Sequence, residues 1–339
     1  MMKKATITSL VALMLSSAGT FAQDTPSASA FTTPAGYVTH TLKSGEFNLI
    51  GLTLHESVVV AGSFESVSGT TLTDTDVDFD GVLTDGTTYI LEITNAANAS
   101  LNGTIQEVTI WNGNAITTSD DLVADGLAAG DSYQLRRAAT VQQVFGTPPA
   151  LASTAAVNSS DIVLVPDGSG GYVRYFYRTP LFGTASWFNA DTNQEVTEGI
   201  PVVFTDAIFV QLQDSSPDVD LVVTGSVKTD GVSIAVFNGF NPVSNVYPVG
   251  STLQNSNLES TLTSSAAVTS SDSVWLPDGN GGYTRYFYRT PLFGDSSWVN
   301  ATTGTEVTED VPLTSAFFIQ RIGDSINVDI TPPSSYEGL

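Results

Sequence analysis

The chain contains no cysteine. That absence excludes disulfide staples, thiolate metal sites, cysteine nucleophiles and lipid attachment through a cysteine. A chain of 339 residues does not need staples, because its length lets it bury a large core. Basic residues are also scarce: 11 lysines and arginines stand against 35 acids, giving a formal net charge of −24. A field of that sign repels phosphate backbones and anionic membrane surfaces, which excludes nucleic acid as a partner. Only two histidines occur, His40 and His55. No Gly-x-Ser-x-Gly elbow accompanies them, so they read as surface residues outside any hydrolase triad. Beyond the N-terminus no apolar run approaches the ~20 residues that cross a bilayer, so no membrane insertion is expected.

What is present begins with Met1-Met2-Lys3-Lys4, a mainly apolar run from Ala5 to about Leu15, and small residues ending in Thr20-Phe21-Ala22. A positive start, a short apolar stretch and a small-residue cleavage site form a signal peptide over residues 1–22. The chain is therefore expected to be exported, to the cell envelope or the extracellular space.

The remainder reads as strand after strand, rich in Thr, Val, Ile and aromatics, with Gly, Asn, Asp and Pro between the runs. One block is written twice. Asp167-Gly-Ser-Gly-Gly-Tyr-Val-Arg-Tyr-Phe-Tyr-Arg-Thr-Pro-Leu-Phe-Gly183 returns 111 residues later as Asp278-Gly-Asn-Gly-Gly-Tyr-Thr-Arg-Tyr-Phe-Tyr-Arg-Thr-Pro-Leu-Phe-Gly294. So long a period means duplicated modules, not a short-repeat solenoid. Further on the register slips by two, aligning Ile208-Phe-Val-Gln211 with Phe317-Phe-Ile-Gln320. A slip of two preserves strand facing, because side chains alternate with period two. The glycine-rich stretches 167–171 and 278–282 read as hairpin turns, since no lysine or helix follows as a phosphate loop requires.

A fainter echo links Phe47-Asn-Leu-Ile50 to Phe240-Asn-Pro-Val243, but the threonine after each lies far off in one copy (Thr140) and close in the other (Thr252). That difference predicts an insertion. The expected fold is all-β, with two duplicated sandwich- or barrel-like β-modules and an inserted small β-domain. Residues 23–58 and 139–215 form the first module, 59–138 the insert, 216–331 the second module and 332–339 a tail. Surface loops tolerate such insertions because closure entropy grows slowly with loop length. The rival arrangement is three domains in series; contact between the Phe47 strand and the block after Ala155 distinguishes them.

The Phe47-Asn-Leu-Ile50 strand, the segment Gly130-Asp-Ser-Tyr-Gln-Leu-Arg-Arg137 and the paired Gly-Tyr-x-Arg-Tyr-Phe-Tyr blocks resemble an uncharacterised family of secreted bacterial β-proteins. The resemblance implies a secreted β-protein and carries no activity or site residues.

Three groups of residues are candidates for chemistry. Arg174, Tyr175, Arg178 and Trp187, with Arg285, Tyr286, Arg289 and Trp298, offer guanidinium planes and rings that can stack on a sugar or aromatic ligand. The same residues serve equally well as a core whose arginines cover ring edges or pair with acids. Asp76, Asp78 and Asp80, with Gly81 after them, match the opening of a calcium loop. Position twelve is Thr87 where a bidentate glutamate belongs, and an acidic edge strand explains the pattern as well. Calcium is thus the one candidate cofactor; otherwise none is expected. Finally, paired carboxylates can hydrolyse glycosides, but acids are too plentiful here for their presence to point anywhere.

The expected function is that of a non-catalytic, secreted or envelope-surface structural protein. The alternative is a carbohydrate- or calcium-dependent binding module using the duplicated strands. A surface glycan and an envelope protein are the candidate partners.

Overall fold

A computed structural model describes residues 34–337. The signal-peptide segment 1–22 lies outside the described residues. The fold is all-β, and no helix among the described residues is long and apolar enough to cross a membrane.

Two five-stranded antiparallel sheets carry the duplication. The first runs in the order Ser186–Asn189, Tyr172–Arg178, Ile162–Pro166, Ile208–Gln211, Phe47–Ile50. The second repeats it as Ser297–Asn300, Tyr283–Arg289, Ser273–Pro277, Ala316–Arg321, Gly239–Ser244. Register repeats too: Tyr177 opposes Trp187, and Tyr288 opposes Trp298. Val163 opposes Val210, and Val274 opposes Ile319 across the two-residue slip. All four aliphatic residues are buried, as an even slip requires. The Phe47–Ile50 strand pairs with Ile208–Gln211, so it shares a sheet with the block after Ala155.

Each sheet faces a two-stranded ribbon across its own core. Ala35–Leu42 pairs with Val219–Ser226, and Val232–Val236 pairs with Ile326–Ile330. Val219, Leu221 and Val223 alternate inward and pack with Leu42, Val163 and Val210. The strand Val219–Ser226 therefore belongs with the first half, beyond the boundary expected at residue 216. Its equivalent in the second half is Ile326–Ile330.

All strands of a third, seven-stranded sheet come from residues 58–137, starting one residue before the expected insert of 59–138. It has a separate core in which Phe64 stacks on Tyr133 at 4.3 Å, beside Leu72, Tyr89, Leu91 and Val108. A buried charge cluster ties it to the linker between the halves. Glu92 accepts from Lys228 Nζ through Oε1 and from Gln134 Nε2 at 2.8 Å through Oε2; Arg136 Nη2 lies 3.5 Å from the same Oε2. The two five-stranded sheets meet through rings: Phe209 lies 6.1 Å from Phe318, flanked by Tyr172 and Tyr283 at 5.3 Å each.

Candidate functional site

The duplicated strand sends its rings inward. Trp187 and Trp298 are 2% and 4% exposed, so neither offers a face to a ligand. Each forms an edge-on pair with the tyrosine opposite, Tyr177 at 5.7 Å and Tyr288 at 5.5 Å. Tyr175 and Tyr286 are partly buried against the same two cores. The platform of Tyr175, Trp187, Tyr286 and Trp298 therefore does not form, because alternation turns these rings to the core side of the sheet.

The arginines are used inside the chain, and their partners changed together between the copies. Arg174 donates through Nε and Nη2 to Asp191 Oδ1 at 2.8 and 2.5 Å, which holds the Asp191 carboxyl below its usual range. In the second copy Asp191 is replaced by Thr302, and Leu164 by Trp275. Arg285 accordingly lies over the Trp275 ring at 5.2 Å and donates to Ser273 Oγ at 3.0 Å. Arg178 lies over Phe188 at 5.0 Å; where Phe188 becomes Val299, Arg289 instead sits 3.8 Å from Glu306. Each loss of a partner is matched by a gain, which is the behaviour of structural contacts.

The calcium-loop pattern is divided by the fold. Asp76 gathers with Glu65 and Asp74, their oxygens within 4.8 Å of one another. Asp78 precedes the short helix Phe79–Val82, and Asp80 Oδ2 accepts from Gly113 N at 3.0 Å. The helical turn breaks the alternation that would have converged Asp76, Asp78 and Asp80. Asp74 is buried and accepts from Tyr133 Oη at 2.7 Å and from Asp76 N at 3.0 Å. This regrouped trio is the arrangement able to meet a hard cation.

The histidines are buried, not on the surface. His40 shares the inward face of its strand with Leu42, while Thr39 and Thr41 point out. His55 is enclosed with Phe204 at 4.7 Å, and burial, then Arg136, lowers its pKa to about 3. Acids with raised pKa lie elsewhere. A cleft of about 930 Å³ beside the seven-stranded sheet holds Asp206, pushed up to about 6 by burial and then by Glu107. Burial raises Glu107 in the same cleft.

Among the described residues, the most exposed large apolar side chains belong to the duplicated block itself. Leu181, Phe182, Leu292 and Phe293 are each at least 90% exposed. They sit at the tips between Tyr172–Arg178 and Ser186–Asn189, and between Tyr283–Arg289 and Ser297–Asn300. Thr179 anchors its tip by donating to Thr154 O at 3.0 Å and, through Oγ1, to Ser153 O at 2.9 Å; Thr290 N donates to Ser265 O at 3.1 Å. Gly183 and Gly294 end the tips at φ +106° and +95°, a conformation that favours glycine. The signal for these tips was in the sequence. The copies are identical from Arg174 through Gly183, beyond the strand and into the loop, yet differ at once afterwards, with Thr184 against Asp295 and Ala185 against Ser296.

No protein-family model, curated protein or solved structure matches this chain.

Proposed function

We propose that the protein is an exported, non-catalytic surface protein that docks through two matching apolar tips onto an envelope protein. The single observation that carries this reading is the exposure of Leu181-Phe182 and Leu292-Phe293 in both copies. Burying a Leu or Phe side chain is worth about 1.5–3 kcal/mol, so four covered together would contribute roughly 6–12 kcal/mol. Nothing within the described residues uses that contribution, while neighbouring surface positions have diverged between the copies. Retention of the four side chains fits a contact made outside the chain. The acidic surface disfavours an anionic bilayer as that contact and leaves an apolar protein surface. Export is supported by the pattern of residues 1–22.

The test is rebinding of labelled protein to producer cells that lack it. The quadruple variant Leu181→Ser, Phe182→Ser, Leu292→Ser, Phe293→Ser is expected to lose at least about tenfold in binding, because hot-spot aromatic and aliphatic anchors dominate interfaces. Equal binding by the variant and the wild type removes the reading.

A second reading, glycoside hydrolysis by Asp206 and Glu107, has one observation in its favour: both carboxyls are raised within one cleft. Turnover of aryl glycosides that Asp206→Asn abolishes would establish it instead.

A further inference from the structure

We infer that the outer edge of the strand Ala35–Leu42 is a docking site for an extended, basic segment of a partner polypeptide, which joins the ribbon of the first half as a third strand. The backbone of Ala35–Leu42 is only half used. Ser226 is bonded in both directions to His55, N to O at 2.7 Å and O to N at 2.9 Å, so Ala35, which lies opposite Ser226, makes no ladder bond to it. Bonded and unbonded pairs alternate along an antiparallel ladder, and the register from Ala35 to Leu42 is unbroken. Tyr37, Thr39 and Thr41 therefore turn both N–H and C=O away from Val219–Ser226. All three residues are exposed, and among the described residues nothing bonds these outward groups.

The equivalent edge in the second half is occupied. Val219-Asp-Leu221 corresponds to Val328-Asp-Ile330, and the two aspartates sit opposite Thr41 and Ser233. Both hydroxyls donate to the facing carboxylate at 2.7 Å. Ser233 N donates outward to Gly103 O at 2.9 Å, and Thr104 pairs in parallel with Ser233. A stretch of the insert thus covers in the second half what Thr41 leaves bare in the first. The difference has a cause in the chain. Equivalent residues meet across the junction: Phe209 lies 6.1 Å from Phe318, and a Cβ on Gly51 would touch Ser244 Oγ, so the halves face each other as a two-fold pair does. The insert of the first half reaches the ribbon of the second, and the second half carries no insert to reach back.

The bare edge is one wall of a cleft of about 830 Å³, with residues 46–50 and residues 277–283 of the second half on other walls. Outward donors and acceptors at strand spacing are complementary to a polypeptide backbone. Their place inside a cleft suits a single extended segment and obstructs edge-to-edge pairing with a second folded copy. Charge sets the sign of that segment. Lys43 is the one lysine or arginine lining the cleft, and Asp218 holds it at 2.9 Å. Glu46 on the same wall is exposed and forms no ion pair among the described residues, and exposed Asp220 lies beside Thr41. A segment carrying lysine or arginine meets this surplus of acid, whereas an acidic one is repelled. The site uses none of the residues of the Leu-Phe tips.

The test combines the full chain with the peptide Lys-Ser-Leu-Asn-Gly-Thr-Ile-Gln-Lys, whose core copies residues 100–106, the stretch around Gly103 and Thr104. Amide exchange of the free protein, followed by NMR, is expected to be fast at Tyr37, Thr39 and Thr41 and slow at Val38, His40 and Leu42. Saturating peptide is expected to slow the first three and to leave Ser233 unchanged. Glutamate in place of both terminal lysines is expected to weaken binding at least about threefold. N-methylation of the peptide's leucine, glycine and isoleucine, whose amides face the edge, is expected to abolish binding. Thr39→Pro removes an outward N–H and spares the ladder to Val219–Ser226, because an edge strand tolerates proline where its N–H faces outward. It is expected to keep the wild-type melting temperature and to weaken binding at least about fivefold; the N-methylated peptide makes the same test on unaltered protein. The quadruple tip variant is expected to bind the peptide as wild type does, which separates this site from the docking role. Four results overturn the inference: slow exchange at Thr39 and Thr41 in the free protein, which would mean that the chain itself or a second copy already covers the edge; no saturable binding of the lysine peptide; equal binding of the glutamate or N-methylated peptide; or unchanged affinity in a folded Thr39→Pro.

Discussion

Acid should weaken this protein through His55, and a single substitution at Asp206 should reveal by how much. His55 pairs through its backbone with Ser226, N to O at 2.9 Å and O to N at 2.7 Å, and its Nε2 lies 2.9 Å from Val246 O. Arg136 and Lys228 add positive charge nearby. Burial, then those charges, lower its pKa from 6.5 to about 3. The folded state keeps the ring neutral where the unfolded chain protonates it. Stability from this group is therefore full above pH 6.5 and lost as pH falls toward 3, by up to about 1.4 kcal/mol per pH unit. His40, also lowered by burial, acts in the same direction. Asp206 acts in the opposite one. Its pKa rises from 3.8 to about 6, so the folded state binds the extra proton, and falling pH restores up to about 3 kcal/mol across that window. The two effects nearly cancel between about pH 6 and pH 4 in the wild type. Asp206→Asn removes one of them. It should raise stability near neutral pH by up to about 3 kcal/mol and then lose a similar amount between about pH 6 and pH 4. Urea denaturation at stepped pH, extrapolated linearly, measures both changes. A flat profile for Asp206→Asn across that window would refute the buried, neutral His55.

Three further outcomes follow from the same contacts. Lys228→Met strips Glu92 of its closest partner in a fully buried cluster and should cost about 3–5 kcal/mol in urea denaturation. A Cβ on Gly51 would collide with Ser315 O and Ser244 Oγ; Gly51→Ala should therefore cost about 1–3 kcal/mol and change the near-UV circular dichroism of the rings between the halves. Arg285→Ala uncovers the Trp275 ring and should shift tryptophan emission to the red, whereas Arg174→Ala breaks an exposed pair and should change stability by no more than about 1 kcal/mol.

The strand plan was legible because period-two alternation is a local property. Ile208-Phe-Val-Gln211 and Phe317-Phe-Ile-Gln320 face the same way in both sheets, as the two-residue slip requires. The even spacing of Val219, Leu221 and Val223 was also visible, but alternation does not name a partner strand, so the strand's place beside Ala35–Leu42 was not. Asp76 shows a similar limit. Glu65 reaches it through the Ser66–Ser68/Thr71–Thr73 hairpin, while a turn at Phe79 carries Asp78 and Asp80 away. The arginine contacts depended on residues in neighbouring strands, Asp191 in one copy and Trp275 in the other, which a motif read along the chain does not reach. Leu-Phe at positions 181–182 resembles core in any sequence; only the tip geometry turns it outward.

Hydroxyl-radical footprinting of the native protein, resolved by mass spectrometry, tests most directly how the duplicated block is oriented. Phe182 and Phe293 should be oxidised rapidly and at similar rates, with Leu181 and Leu292 beside them. Trp187, Trp298 and Tyr177 should stay protected until the protein is denatured, although free tryptophan is among the most reactive side chains. Native-state oxidation of either tryptophan as fast as Phe182 would contradict the account, because the rings would then face water and the tips would not be the block's outward chemistry.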